Sequence, residues 1–153
     1  PGELRQMRWA HLDLDAGLWS LPAEHMKSQR AHIVPLASQV VASLRDLQPL
    51  TGQQPFVFPS QRGRGRPMSE NTLNAALRRL GYERSEVTAH GFRATARTLL
   101  EEELGYGPDL VELQIAHKVS HPLGRTYSRV EFLEQRIEMM QRWADYLDAL
   151  RLG

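Results

Sequence analysis

A mainly helical α+β fold with a small three-stranded antiparallel sheet is what the sequence predicts, and three observations carry the prediction. Short β-type runs at 9–13, 18–21 and 32–35 are separated by a turn signal and a polar stretch. Apolar residues recur at helical spacing in the later half, most cleanly at Leu73, Ala76, Leu77 and Leu80, and again from Leu133 to Leu147. The 153 residues suffice for one domain with a real core.

Glu3 to Arg8 reads as the end of a helix, with Leu4 and Met7 on one side. Trp9–Asp13 and Leu18–Leu21 are strands around the turn Asp15-Ala16-Gly17, and His32–Pro35 completes the meander after a polar stretch containing Lys27. Val40, Val41, Leu44 and Leu47 fall at helical spacing, with Pro49 and Gly52 expected to end that helix. Gln53 to Pro67 is a Gly-, Pro- and Arg-rich loop around the apolar Phe56-Val57-Phe58. Ser69 is the expected N-cap of the helix bearing the Leu73–Leu80 stripe, and Gly81 closes it. Further helices are expected from His90 to about Leu104, from Asp109 to His117 and from Glu131 to Leu150. In the last of these, Leu133, Ile137, Met140, Ala144 and Leu147 form the expected core-packing face. Docking of that helix onto a neighbouring protomer is the functional alternative.

Composition is that of an ordinary globular chain, without cysteine and therefore without disulfides or thiolate metal sites. No apolar run is long enough to span a bilayer, and no signal-peptide pattern opens the chain. The net charge of +1 conceals an uneven distribution: residues 1–98 hold 13 basic against 8 acidic side chains, and residues 99–153 hold 6 against 10. The basic part includes Arg62, Arg64 and Arg66 in the Gly-rich loop, then Arg78, Arg79, Arg93 and Arg97. Local basic density, rather than total charge, decides whether a surface attracts phosphates.

Chemistry concentrates in one ordered set: Lys27, His90-Gly-Phe-Arg93, His117 and Tyr127. His90 and Arg93 lie three apart at the start of an expected helix and so share a face. A helix amino terminus adds backbone N–H groups and partial positive charge, which favour a phosphate. An arginine fork suits the two non-bridging oxygens that gain charge in phosphoryl transfer. Each residue also has an ordinary reading: a solvated lysine, histidines at helix ends, a half-buried tyrosine. His117 and His121 stand at i, i+4, but Pro122 and the lack of a carboxylate partner argue against a shared metal. The acidic run Glu101-Glu102-Glu103 points in different directions around a helix and is no nuclease cluster.

The order and spacing resemble the tyrosine recombinases, the phage integrase family. Val87-Thr-Ala-His90-Gly-Phe-Arg93-Ala-Thr-Ala resembles the family's box around its second arginine. Gln114-Ile-Ala-His117 followed by Thr126-Tyr127-Ser128-Arg129 resembles the histidine segment and nucleophile. Pro1-Gly-Glu-Leu and Pro67-Met-Ser-Glu-Asn-Thr look like the branch found in prophages and genomic islands. The resemblance covers nearly the whole chain and implies a helical integrase-type catalytic domain over 1–153. It implies Tyr127 as nucleophile forming a 3′-phosphotyrosyl link, Arg93 as transition-state stabiliser, and His90 as base or phosphate ligand. His117 would be a phosphate donor, Lys27 the general acid on the leaving 5′-oxygen, and Glu3 a supporting acid. Arg30, Arg62, Arg64, Arg66, Arg97 and Arg125 are the candidate DNA contacts.

The partners implied are double-stranded DNA and further copies of the chain, a tetramer in the family. No cofactor, metal or membrane is implied, and the expected location is the bacterial cytoplasm, on the nucleoid. One departure stands out: in the family an arginine directly precedes Pro-Gly-Glu-Leu, and this chain begins at Pro1. The expectation is therefore a catalytic domain truncated at its amino terminus, without the first arginine and the amino-terminal DNA-binding domain. Loss of one such donor costs on the order of a hundredfold to a thousandfold in rate, so weak DNA binding and little cleavage are expected of the chain alone. The alternatives are a non-catalytic DNA-binding or dimerisation module of a decayed integrase, or a type IB topoisomerase-like enzyme.

Overall fold

The computed structural model describes residues 1–26, 29–63, 65–116 and 132–153. Helix α1 (Gly2–Arg5) leads through a 3₁₀ turn into the antiparallel sheet β1 (Leu12–Asp13), β2 (Leu18–Leu21) and β3 (His32–Pro35), in the order β1-β2-β3. The β1–β2 turn is built as its composition suggests. Asp13 Oδ1 accepts the amides of Asp15 and Ala16 at 3.2 and 2.8 Å, and Gly17 takes a φ of +63° that favours glycine. Leu21 pairs with His32 and Trp19 with Val34, so β3 lies wholly alongside β2. Trp19 and Leu21 are buried while Ser20 faces solvent, the alternation of a sheet with one wet face.

Helix α2 (Ser38–Thr51) covers the sheet through Leu44, and Val57 closes the same core with Met7, Trp19, Leu21 and Met26. Helices α3 (Thr72–Arg79), α4 (Gly91–Glu102), α5 (Pro108–Gln114) and α6 (Leu133–Leu152) follow. A second core sits among α4, α5 and α6, where Leu100, Val111 and Met139 are buried beneath Leu104, Tyr106, Met140 and Trp143. The mainly helical α+β class and the three-stranded meander are as the sequence predicts. No helix among the described residues is long and apolar enough to cross a membrane.

Four local expectations are corrected. Trp9–His11 is a 3₁₀ turn and not strand, because Arg8 bridges Phe56 and the Trp9 indole donates to Thr51 O at 3.1 Å, drawing this stretch away from β2. Pro49 does not end α2, which runs on to Thr51. Proline removes one helical hydrogen bond, and Thr51 holds the last turn by donating from Oγ1 to Val57 O at 3.0 Å. Ser69 is not the N-cap of α3. Its hydroxyl pairs with Thr72 Oγ1 at 2.9 Å, its carbonyl accepts the Thr72 amide, and Asn71 stands at the cap.

The fourth correction concerns α6. Ile137 and Leu147 of the expected core stripe are 45 % and 43 % exposed, while Arg136 is 2 % exposed and Met139 fully buried. The inward face is Arg136, Met139, Met140 and Trp143, itself an i, i+3, i+4, i+7 set with an arginine in first place. Hydrogen bonds from Arg136 fix the rotation at one end. At the other, Gln39 donates to Asp145 Oδ1 at 2.8 Å and Asp148 Oδ2 at 3.1 Å.

Candidate functional site

His90 occupies the N-cap of α4, exposed and with αR backbone, and Arg93 sits in the first turn, half-buried. The approach to this helix is held from α3. Asn74 Oδ1 accepts the Ala89 amide at 2.9 Å, and Arg78 donates to the carbonyl of Val87. Thr88 Oγ1 then accepts the Gly91 amide at 3.0 Å, shaping the turn on which His90 stands. The sequence thus spends the polar face of α3 on holding the segment that presents His90. Phe92, between the two candidate residues, is exposed.

Arg93 donates from Nη2 to the carbonyl of Ile115, at the carboxyl end of α5. That carbonyl lies two positions before His117 in the chain. The same end of α5 is held from two other directions. His32, on β3, has Nε2 3.0 Å from Gln114 O, and Arg136, on α6, donates from Nε to Gln114 Oε1 at 2.9 Å and from Nη2 to Ile33 O. Because a carbonyl accepts only, His32 is the Nε2–H tautomer. Arg136 Nη2, at 3.5 Å from that nitrogen, therefore finds no acceptor there.

Burial, then the Arg136 charge and then that of Arg93 lower the His32 pKa to about 4, against the opposing pull of the Gln114 carbonyl. His32 is thus neutral near pH 7. Burial pushes Arg136 down to about 10, still protonated at neutral pH.

The other predicted residues divide as follows. Glu3 lies exposed on α1 and, among the described residues, makes no hydrogen bond or ion pair with His90 or Arg93. Arg30 is exposed before β3. Arg62 and Arg66 project from a hairpin-like loop closed by a Pro59–Pro67 bridge and by the Ser60 amide on Arg66 O at 2.8 Å; both are exposed. Arg97 is half exposed and engaged with two acidic side chains. Its Nε lies 2.8 Å from Glu112 and 3.2 Å from Glu101, so two carboxylates already face it. Lys27, Arg64, His117, Arg125 and Tyr127 lie outside the described residues. The sequence reading did not single out Arg136 or His32, and the arginine heading the α6 inward stripe is the signal that was there to be found. Among the described residues, no three His, Asp or Glu side chains come together as a metal-ligand set.

A mainly helical α+β domain that places a histidine and an arginine at one helix amino terminus has the architecture expected of the integrase-type fold. Comparison with known proteins gives the family. The model of the phage integrase family matches residues 1–134, and the chain belongs to that family. It is 41 % identical to the prophage integrase IntA of Escherichia coli K12 over all of this chain and 37 % of that protein. The integrase of Enterobacteria phage P4 is 39 % identical over 97 % of this chain and 37 % of its own length. The integrase of Shigella phage Sf6 is 34 % identical over 95 % and 38 %. The chain thus spans little more than a third of these curated relatives. No solved structure matches it.

Proposed function

We propose that the chain is the catalytic domain of a site-specific DNA recombinase that cuts and rejoins double-stranded DNA through a 3′-phosphotyrosyl intermediate. The supporting observation is the arrangement around Arg93: a guanidinium in the first turn of α4, beside an N-cap histidine, reaching the backbone that runs into His117. Family membership supplies the reaction class.

In this reading Tyr127 attacks phosphorus and the 5′-oxygen leaves. A phenol with a pKa of about 10 must lose its proton during the attack, which His90 or a water it orients accepts. Lys27 protonates the leaving 5′-oxygen, Arg93 and His117 hold the non-bridging oxygens as their charge grows, and Glu3 supports the arginine side of the site. The phosphate-bond energy stays in the covalent link, so rejoining is the same step run backwards with a 5′-hydroxyl as nucleophile. Arg30, Arg62, Arg64, Arg66 and Arg125 track the backbone, with assembly into a tetramer on DNA.

Relaxation of supercoiled plasmid in EDTA tests this without knowledge of a target site, using the chain with an arginine placed ahead of Pro1. Relaxation that disappears in Tyr127→Phe is the expected result. Activity persisting in Tyr127→Phe would overturn the role of that tyrosine. Plasmid binding without relaxation would favour the non-catalytic module.

A further inference from the structure

We infer that Arg136 is a positioning residue for this site: its guanidinium locks the carboxyl end of α5 against β3, and so fixes the backbone that Arg93 grips and that leads into His117. The inference rests on the phosphoryl-transfer reading above.

The first observation is an unusual cation. Arg136 is 2 % exposed, and its hydrogen-bond acceptors among the described residues are both neutral: the Gln114 side chain and the Ile33 carbonyl. A buried charge is expensive unless well compensated, and replacing buried ionic groups by apolar ones is often neutral or stabilising. Stability alone therefore gives no reason for an arginine here. Its shape does. A planar fork with separate donors can bond two elements at once, and here Nε serves α5 while Nη2 serves β3. An aliphatic side chain would fill the space and join nothing.

The second observation is where the bonds fall. His32 from β3 takes the Gln114 carbonyl, Arg136 from α6 takes the Gln114 side chain, and Arg93 from α4 takes the Ile115 carbonyl. Three elements distant in sequence converge on two consecutive residues. Arg136 also stands in the first turn of α6, the helix that resumes the described chain after His117 and Tyr127. One side chain thus ties together both described ends of the segment that carries these two candidates. Displacement of catalytic groups by about 1 Å can cost on the order of a hundredfold in rate, so a side chain that touches no DNA can still govern the chemistry.

The test separates binding from reaction. In the chain with an arginine ahead of Pro1, Arg136→Met should stay folded and bind plasmid within about twofold of the parent, while relaxation in EDTA slows by about ten- to a hundredfold. Arg136→Lys keeps the charge but not the fork. It should bind equally well and slow by a smaller factor, and it carries the test if the Met variant melts. Unchanged relaxation in Arg136→Met overturns the inference. So does full recovery in Arg136→Lys, which would make the role one of charge, and so does a parallel loss of binding and rate, which would make it merely structural. NMR on the unmodified chain gives a second arm independent of activity. In Arg136→Met the Ile115 and Ala116 amides should shift, and the His32 ring should titrate closer to its ordinary value. If the parent relaxes no plasmid, the recombinase reading fails and this arm alone decides: shifted signals uphold the clamp on α5, and unshifted ones overturn it.

Discussion

Acid should weaken this fold through His32, and His32→Gln should remove that part of the weakening. The ring is neutral in the folded chain, with its pKa depressed from 6.5 to about 4 by burial and by the Arg136 and Arg93 charges. In the unfolded chain it titrates at its ordinary value. Between pH 6.5 and 4 the unfolded state therefore takes up a proton that the folded state refuses, and unfolding becomes easier as the pH falls. The contribution is fully present above pH 6.5, drains away through that window and is level below it. At about 1.4 kcal/mol per pH unit the depression is worth roughly 3 kcal/mol, and screening of the ring's exposed part leaves about 2 kcal/mol. Glutamine can donate to the Gln114 carbonyl as His32 does but does not titrate. Urea unfolding at pH 7.5 and 4.5 measures the effect, since with a slope of about 1–3 kcal/mol per molar the parent's midpoint should fall by about 1 M more than the variant's. Carboxylate titrations are common to both proteins and cancel in the comparison. Equal losses in the two would refute the placement of His32 beside Arg136 and Arg93.

Two further outcomes follow from the placement of the arginines and of the second core. Arg62→Gln combined with Arg66→Gln should weaken binding to any duplex and flatten the dependence of log Kd on log salt by about two phosphate equivalents. Arg97→Gln should leave that slope unchanged, because Glu101 and Glu112 already face the guanidinium; binding titrations over a salt series distinguish the two, and equal slopes throughout would count against this division. Met139→Ala, at a fully buried α6 position in the second core with Leu100 and Val111, should cost about 2–5 kcal/mol in urea unfolding, and a loss below 1 kcal/mol would mean that the second core is not packed there.

The architecture was legible wherever pattern and local chemistry agree. The Asp15-Ala16-Gly17 turn, the β2–β3 pairing and the stop of α4 before Gly105 are set by residues close in sequence. Reading failed where distant contacts decide. Pro49 looked like a terminator, since proline removes a helical hydrogen bond and crowds the carbonyl four residues back, but contacts of Thr51 with Val57 and the Trp9 indole hold the turn beyond it. Of the α3 stripe only Leu73 and Leu77 are half-buried; Ala76 is exposed and Leu80, at the C-cap, is 73 % exposed, while Asn74 and Arg78 tether the helix to the segment before α4. On α6 an apolar-only reading chose Ile137 and Leu147 and passed over Arg136, since a charged residue is not expected to face inward.

The same division runs through the site. The placement of His90 and Arg93 at one helix start was readable from their spacing, and it drew attention only because Lys27, His117 and Tyr127 accompany them in order. What holds them in place was not readable, because every tether is a side chain of one element bonded to the backbone or side chain of another: Asn74 to Ala89, Arg93 to Ile115, His32 and Arg136 to Gln114. Such bonds leave no spacing rule in the sequence, since their partners are brought together only by the fold. They also split the frame into two parts, one that α3 holds at the start of α4 and one that β3 and α6 hold at the end of α5. Arg93 is the side chain that spans them, rooted in the first and bonded to the second. A phosphate drawing on its remaining donors would therefore meet a group already oriented from both sides, which lowers the ordering cost that a free arginine would incur on binding. Lysine at position 93 would keep the charge but lose the planar fork, so it could not grip a phosphate bidentately from a nitrogen set separate from the one that serves the Ile115 carbonyl.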